Sequence, residues 1–178
     1  MKKIIKELEK IIIDFSGKVV CIGTMDEYLL GKINNNKNIK YCDLLNCFEK
    51  KGGNTKKQKE KNLMMKDFRK FYGKKKIDYM LCNISDIKGH IPRFIPDSIY
   101  INKKIVYIYG KNDIYDYQRI IKKYNRYKAS IEYDNIGEYF LLRIDVSNCN
   151  NKIICDKLFY ISDSLEKFSD KISDLIVS

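Results

Sequence analysis

Three short, largely apolar runs constrain this chain more than any other feature: Val19-Val20-Cys21-Ile22, residues 77–82 and residues 105–109. Each is too short for a buried helix. None shows the strict polar alternation of a strand with one wet face, so each reads as a strand covered on both sides, as in a parallel sheet packed between helices. Residues 105–109, Ile-Val-Tyr-Ile-Tyr, are β-branched and aromatic throughout and close on Gly110, which makes this the clearest strand signal in the chain. Residues 39–42 form a fourth short run, ending at the acidic Asp43.

Helical spacing fills the intervals. Ile4, Ile5, Leu8, Ile11 and Ile12 form one apolar stripe that Phe15-Ser16-Gly17 interrupts, so residues 1–16 read as an N-terminal helix. After Gly23, Thr24 is positioned to cap a helix whose inner face is Met25, Tyr28, Leu29 and Ile33. Further helices are expected at 62–72, where Leu63, Met64, Phe68 and Phe71 share a side, and at 113–124. Strands at 127–133 and 138–146, joined by Asp134-Asn135-Ile136-Gly137, read as an antiparallel hairpin. Residues 147–178 add a strand at 153–161 and a helix at 164–176, whose Leu165, Phe168 and Ile172 stripe packs on its own sheet or serves protein association.

The 178 residues support one domain with a continuous core, and 44% hydrophobic content excludes global disorder. No apolar run reaches the roughly 18 residues that span a bilayer, and no signal peptide fits the lysine-rich start. A soluble, cytoplasmic protein is the expectation. Six cysteines without an export signal read as reduced thiols, with Cys21, Cys42 and Cys82 in strand-like runs as core residues and Cys47 and Cys149 more exposed. Their spacings are not those of zinc ribbons, and the single histidine, His90, is remote in sequence, so no metal site is expected.

The charge is uneven. Residues 50–76 hold twelve basic residues against Glu60 and Asp67, a net +10 of the chain's +12. Clustered lysines such as Lys56, Lys57, Lys59 and Lys61 gain affinity for a polyanion through counterion release, with RNA, DNA or anionic lipid as possible partners. A solvated basic loop in a lysine-rich chain is the competing reading.

Alternating strands and helices closed by a hairpin imply a three-layer, mostly parallel α/β sheet. With Gly-Lys-Val-Val-Cys-Ile-Gly-Thr at 17–24, Tyr-Cys-Asp at 41–43, Asp-Tyr-Met-Leu-Cys-Asn at 78–83 and Tyr-Phe-Leu-Leu-Arg-Ile at 139–144, the chain resembles the class I S-adenosylmethionine-dependent methyltransferases, which have a Rossmann-like fold. The resemblance covers about residues 15–146. It implies that Gly23 and Thr24 form the loop against the methionine part of S-adenosylmethionine, that Asp43 binds the ribose hydroxyls, and that Asn83 or Asp86 orients the substrate. Only one glycine stands in the first loop, and Asn83-Ile84-Ser85-Asp86 is not the Asn-Pro-Pro-aromatic signature of amino methyltransferases. His90 is a candidate general base because its ordinary pKa lies near neutrality. Each residue also has a commoner duty: Gly23 can end a strand, and Asp43 and Asn83 can bond neighbouring backbone. Two functions follow: a methyltransferase acting on RNA or another anionic substrate, or a non-catalytic descendant of the fold that binds nucleic acid or protein. A dinucleotide enzyme is disfavoured because G-x-G-x-x-G is missing after the first strand.

Overall fold

The computed structural model describes residues 1–45, 72–74, 76–84, 98–112 and 130–147. The expected helices at 62–72 (apart from its last residue), 113–124 and 164–176, the strand at 153–161, and Cys47, Cys149 and Cys155 lie outside the described residues. The described chain runs α1 (Lys2–Ile13), β1 (Gly17–Ile22), α2 (Glu27–Asn35), β2 (Ile39–Leu45), β3 (Ile77–Asn83), β4 (Asn102–Lys111), β5 (Ser130–Ile136) and β6 (Tyr139–Asp145). The six strands form one sheet in the order β2-β1-β3-β4-β6-β5. Pairings β1–β2, β1–β3 and β3–β4 are parallel, whereas β6 runs antiparallel to both β4 and β5.

The period-two alternation divides the sheet into two apolar faces. One face carries Val19, Cys21, Leu81, Tyr107, Tyr109 and Leu141, packed in a single cluster with Ile4, Leu8 and Ile12 of α1 and Leu29 and Ile33 of α2. These helical residues recur every three or four positions, so each helix buries one stripe, at about 1.5–3 kcal/mol per fully buried side chain. Val20, Ile22, Met80, Cys82, Val106, Ile108 and Phe140 alternate with that set and are equally buried on the opposite face. Apolar residues on both faces of the inner strands explain why their sequences are continuous runs.

Several boundaries differ from the sequence expectation. The cap of α2 is Asp26, whose carboxylate accepts from the Tyr28 N–H at 2.9 Å, so Thr24 lies in the preceding loop. Tyr28 faces outward at 50% exposure, and its hydroxyl donates to Glu9 at 2.8 Å. Strand β2 continues through Asp43 to Leu45 because β1 supplies paired backbone as far as Ile22. Gly110 sits inside β4, close against Ile84 and Phe140, where a side chain would collide. The hairpin turns at Gly137-Glu138, with Gly137 at φ +64°, and Asp134, Asn135 and Ile136 belong to β5. A two-residue turn opening on glycine suits the twist of paired strands better than the longer connection expected. Cys42 is only half-buried because β2 has a single described neighbour.

Candidate functional site

From β1 the chain passes to β2 on one side and then returns to β3 on the other, so the sheet reverses its winding between β1 and β3. In open α/β sheets, ligands bind outside the carboxyl ends of the strands at such a reversal, where the loops diverge and leave a crevice. Gly23 follows β1 at this point and Asn83 is the last residue of β3. Ile22 is opposite Cys82, so Gly23 and Asn83 stand at the same level.

The turn after β1 is built by a left-handed glycine, Gly23 at φ +85°, a conformation that L side chains rarely adopt. The next residue is held from across the reversal: the Asn83 side-chain amide donates to the Thr24 carbonyl at 2.8 Å. Three of the sequence candidates, Gly23, Thr24 and Asn83, are thereby brought together. Met25 packs against the core beneath them, and the Tyr109 hydroxyl donates to its sulfur at 3.3 Å. Tyr109 is opposite Asn83, Leu141 is opposite Tyr109, and Asp134 is opposite Leu141. A row of side chains on the α1 face thus crosses the carboxyl edge from β3 to β5. At its far end a cleft of about 460 Å³ lies between Lys3, Lys6 and Glu7 of α1 and residues 134–137.

Asp43 does not join this group directly. It is inside β2, opposite Val20 and therefore three residues below the level of Gly23. Its two carboxylate oxygens accept from the hydroxyls of Tyr41 and Tyr72, at 2.7 and 2.9 Å. Donating to that carboxylate holds the Tyr41 hydroxyl above its ordinary pKa. Asp86, His90, Lys56, Lys57, Lys59 and Lys61 lie outside the described residues. Sequence reasoning missed Tyr72 and Tyr109 as neighbours of the candidate residues. Tyr72 is 29 positions from Asp43, and no periodicity links such a pair. The glycine after β1 was legible because a positive φ there admits few alternatives.

No helix among the described residues is long and apolar enough to cross a membrane, and no group of three metal-ligating side chains occurs among them.

No protein-family model matches the sequence, and no curated protein matches it. Solved structures do match. A candidate type 11 methyltransferase from Sulfolobus solfataricus is 14% identical, with a TM-score of 0.52 over 83% of this chain and 94% of that one. The release-factor-specific protein-(glutamine-N5) methyltransferase of Alicyclobacillus acidocaldarius is 6% identical, with a TM-score of 0.49 over 81% and 90% of the two chains. TrmK from M. capricolum, solved with the cofactor product S-adenosylhomocysteine, is 16% identical, with a TM-score of 0.48 over 82% and 67%. With its reversal between β1 and β3 and its antiparallel β6 between β4 and β5, this chain has the Rossmann-like fold of the class I S-adenosylmethionine-dependent methyltransferases.

Proposed function

We propose that the carboxyl edge of the sheet binds S-adenosylmethionine and that the chain is a methyltransferase acting on RNA or another anionic substrate. The observation that carries this reading is the Asn83–Thr24 hydrogen bond beside the left-handed Gly23, at the winding reversal of a class I methyltransferase fold. The residues present fit the cofactor in kind. Gly23 leaves room for backbone to approach its methionine end, and each oxygen of Asp43 accepts one tyrosine hydroxyl, so lone pairs remain for a ribose hydroxyl. The cofactor, when bound, supplies an electrophilic methyl group on sulfur. The chain's own contribution is to hold the loop at Thr24 in place and to align an acceptor, since methyl transfer depends more on orientation than on a specialised base. The basic segment 50–76 supplies affinity for the polyanion.

Calorimetric titration with S-adenosylmethionine and S-adenosylhomocysteine tests this reading. Wild-type protein binds, Gly23→Trp does not, and Asn83→Ala, which frees the Thr24 carbonyl, loses about 1 kcal/mol of affinity, or roughly fivefold. Replacing Lys56, Lys57, Lys59 and Lys61 with glutamine lowers the salt slope of single-stranded RNA binding by about 3. An unchanged slope rejects the polyanion part alone.

A second reading rests on Met25. In a first loop with only one glycine, this side chain packs against the core and accepts from the Tyr109 hydroxyl. A loop packed from within favours a binding module of the same fold, and no detectable binding at millimolar cofactor is its signature.

A further inference from the structure

The cleft at the far end of the carboxyl edge holds charges that do not pair with one another. Its α1 wall presents Lys3 and Lys6, three residues apart and so on one side of the helix, and its hairpin wall presents Asp134. All three are exposed, and none closes an ion pair or a hydrogen bond among the described residues. The carboxylates of α1 are engaged elsewhere, Glu7 by Lys10 and Glu9 by Lys32, each at 2.7 Å. Two cations thus face one carboxylate across a space of about 460 Å³, which is within the range of small-molecule sites.

The hairpin wall is held from behind. Asp134 and Ile136, two residues apart in β5, share the face turned to α1, whereas Tyr133 and Asn135 lie on the other. On that other face the Tyr133 ring stacks on Phe140, with centroids 6.1 Å apart. The Tyr133 hydroxyl donates to the side-chain oxygens of Asn112 and Asn135 at 3.2 and 3.1 Å. Asn112, just past β4, donates its side-chain amide to Asn135 at 3.1 Å and to the Tyr139 carbonyl at 3.2 Å, and its N–H to the Glu138 carbonyl at 2.7 Å. Asp134 therefore stands on a braced strand, beside the apolar surface of the half-buried Ile136.

A ligand that satisfies both walls carries an anion at one end and a hydrogen-bond donor at the other, with an apolar body between them. Paired ammonium groups suit a phosphate, and a carboxylate suits the exocyclic amino group of a base, the edge on which unstacked RNA bases are read. We propose that this cleft is a nucleotide subsite in which Lys3 and Lys6 hold a phosphate, Ile136 supports the base and Asp134 accepts from its amino group. The proposal rests on the reading of the substrate as RNA. Asp134 is three strand spacings, about 14 Å, from Asn83, so the cleft takes a nucleotide flanking the methyl acceptor.

The test is NMR titration of the labelled full-length chain with CMP, UMP and cytidine. CMP and UMP differ in the exocyclic amino group, and cytidine lacks the phosphate. CMP gives saturable shifts at the amides of Lys3, Lys6 and residues 134–137. UMP binds at least about tenfold more weakly, the equivalent of about 1.4 kcal/mol, and cytidine is also weaker. Asp134→Asn, whose amide serves either base, brings CMP and UMP to similar affinity. The double variant Lys3→Gln, Lys6→Gln lowers CMP affinity towards that of cytidine and flattens its salt dependence. Equal affinity of the wild type for CMP and UMP, CMP shifts at Gly23 and Thr24 in place of the cleft, or no saturable shift at millimolar CMP overturns the proposal. S-adenosylhomocysteine added to the same sample reports on the reversal separately. Its binding without that of CMP rejects the nucleotide subsite alone, and CMP binding without it rejects the cofactor site alone.

Discussion

Gly17 is held in a left-handed conformation at φ +71°, and a Cβ there would meet the Asp78 carboxylate, which also accepts from the Lys18 N–H at 2.9 Å. Gly17→Ala therefore combines backbone strain of about 1–2 kcal/mol with a collision at the start of β1, and denaturant unfolding should show a loss larger than the strain alone. Gly137→Ala is the control, since its φ of +64° imposes strain but open space surrounds the new methyl group. Gly31 lies within α2 with nothing near its Cβ position, so Gly31→Ala is expected to gain about 0.5–1 kcal/mol in the same assay. The thiols offer a chemical test. Cys42 is half-buried with a lowered pKa, whereas Cys21 and Cys82 are buried, so iodoacetamide labels Cys42 before either of them. Equal labelling of all three contradicts the hydrogen bond between the Cys21 and Cys42 sulfurs. Individual residues were legible where the backbone conformation limited the choice, as at Gly23. They were not where the partner came from a distant element: nothing near Asp43 in sequence announces Tyr72.

Elements were easier to read than their ends. The stripe Ile4, Leu8 and Ile12 and the run Val19 to Ile22 each carry one dominant period, and both elements form as expected. Ends depend on what neighbouring strands offer, which is why β2 runs on past Asp43 and β4 through Gly110. Helices α1 and α2 are joined by polar contacts that no periodicity reveals. Glu9 accepts from Lys32 at 2.7 Å and from Tyr28 at 2.8 Å, and these bonds, Lys32 first, hold its carboxyl below the ordinary value of 4.5. A depressed carboxylate contributes stability above its unfolded pKa and loses it as pH falls through the folded value. The protection of α2 amides, taken relative to the intrinsic exchange rate at each pH, should therefore fall below about pH 4.5, the ordinary Glu9 value, with Glu9→Gln removing that response. The contribution is small because the pair is exposed. Asn36 has a larger role: its amide donates to the carbonyls of Ile12 and Phe15 at 2.8 and 3.0 Å, closing the end of α1 from the end of α2. Asn36→Ala leaves both carbonyls without that donor and is expected to cost about 1–3 kcal/mol in thermal or denaturant unfolding.

At the scale of the molecule, the order of periodicities decides the architecture. Short buried strands alternating with amphipathic helices permit few sheets, and a hairpin at the end places β6 antiparallel beside β4. This consistency made the fold visible at the level of pattern, while 14% identity to a matched structure preserves little of the pattern's residue detail. The candidate site was only partly legible, because its geometry arises where β1 and β3 become neighbours across 54 residues of intervening chain. The proposed cofactor site is this reversal. Heteronuclear NMR of the labelled chain with S-adenosylhomocysteine tests it most directly. Cofactor bound at the reversal gives saturable shifts centred on the amides of Gly23 and Thr24 and the side-chain amide of Asn83. No shifts at millimolar ligand, or shifts confined to the cleft between α1 and β5, would contradict it.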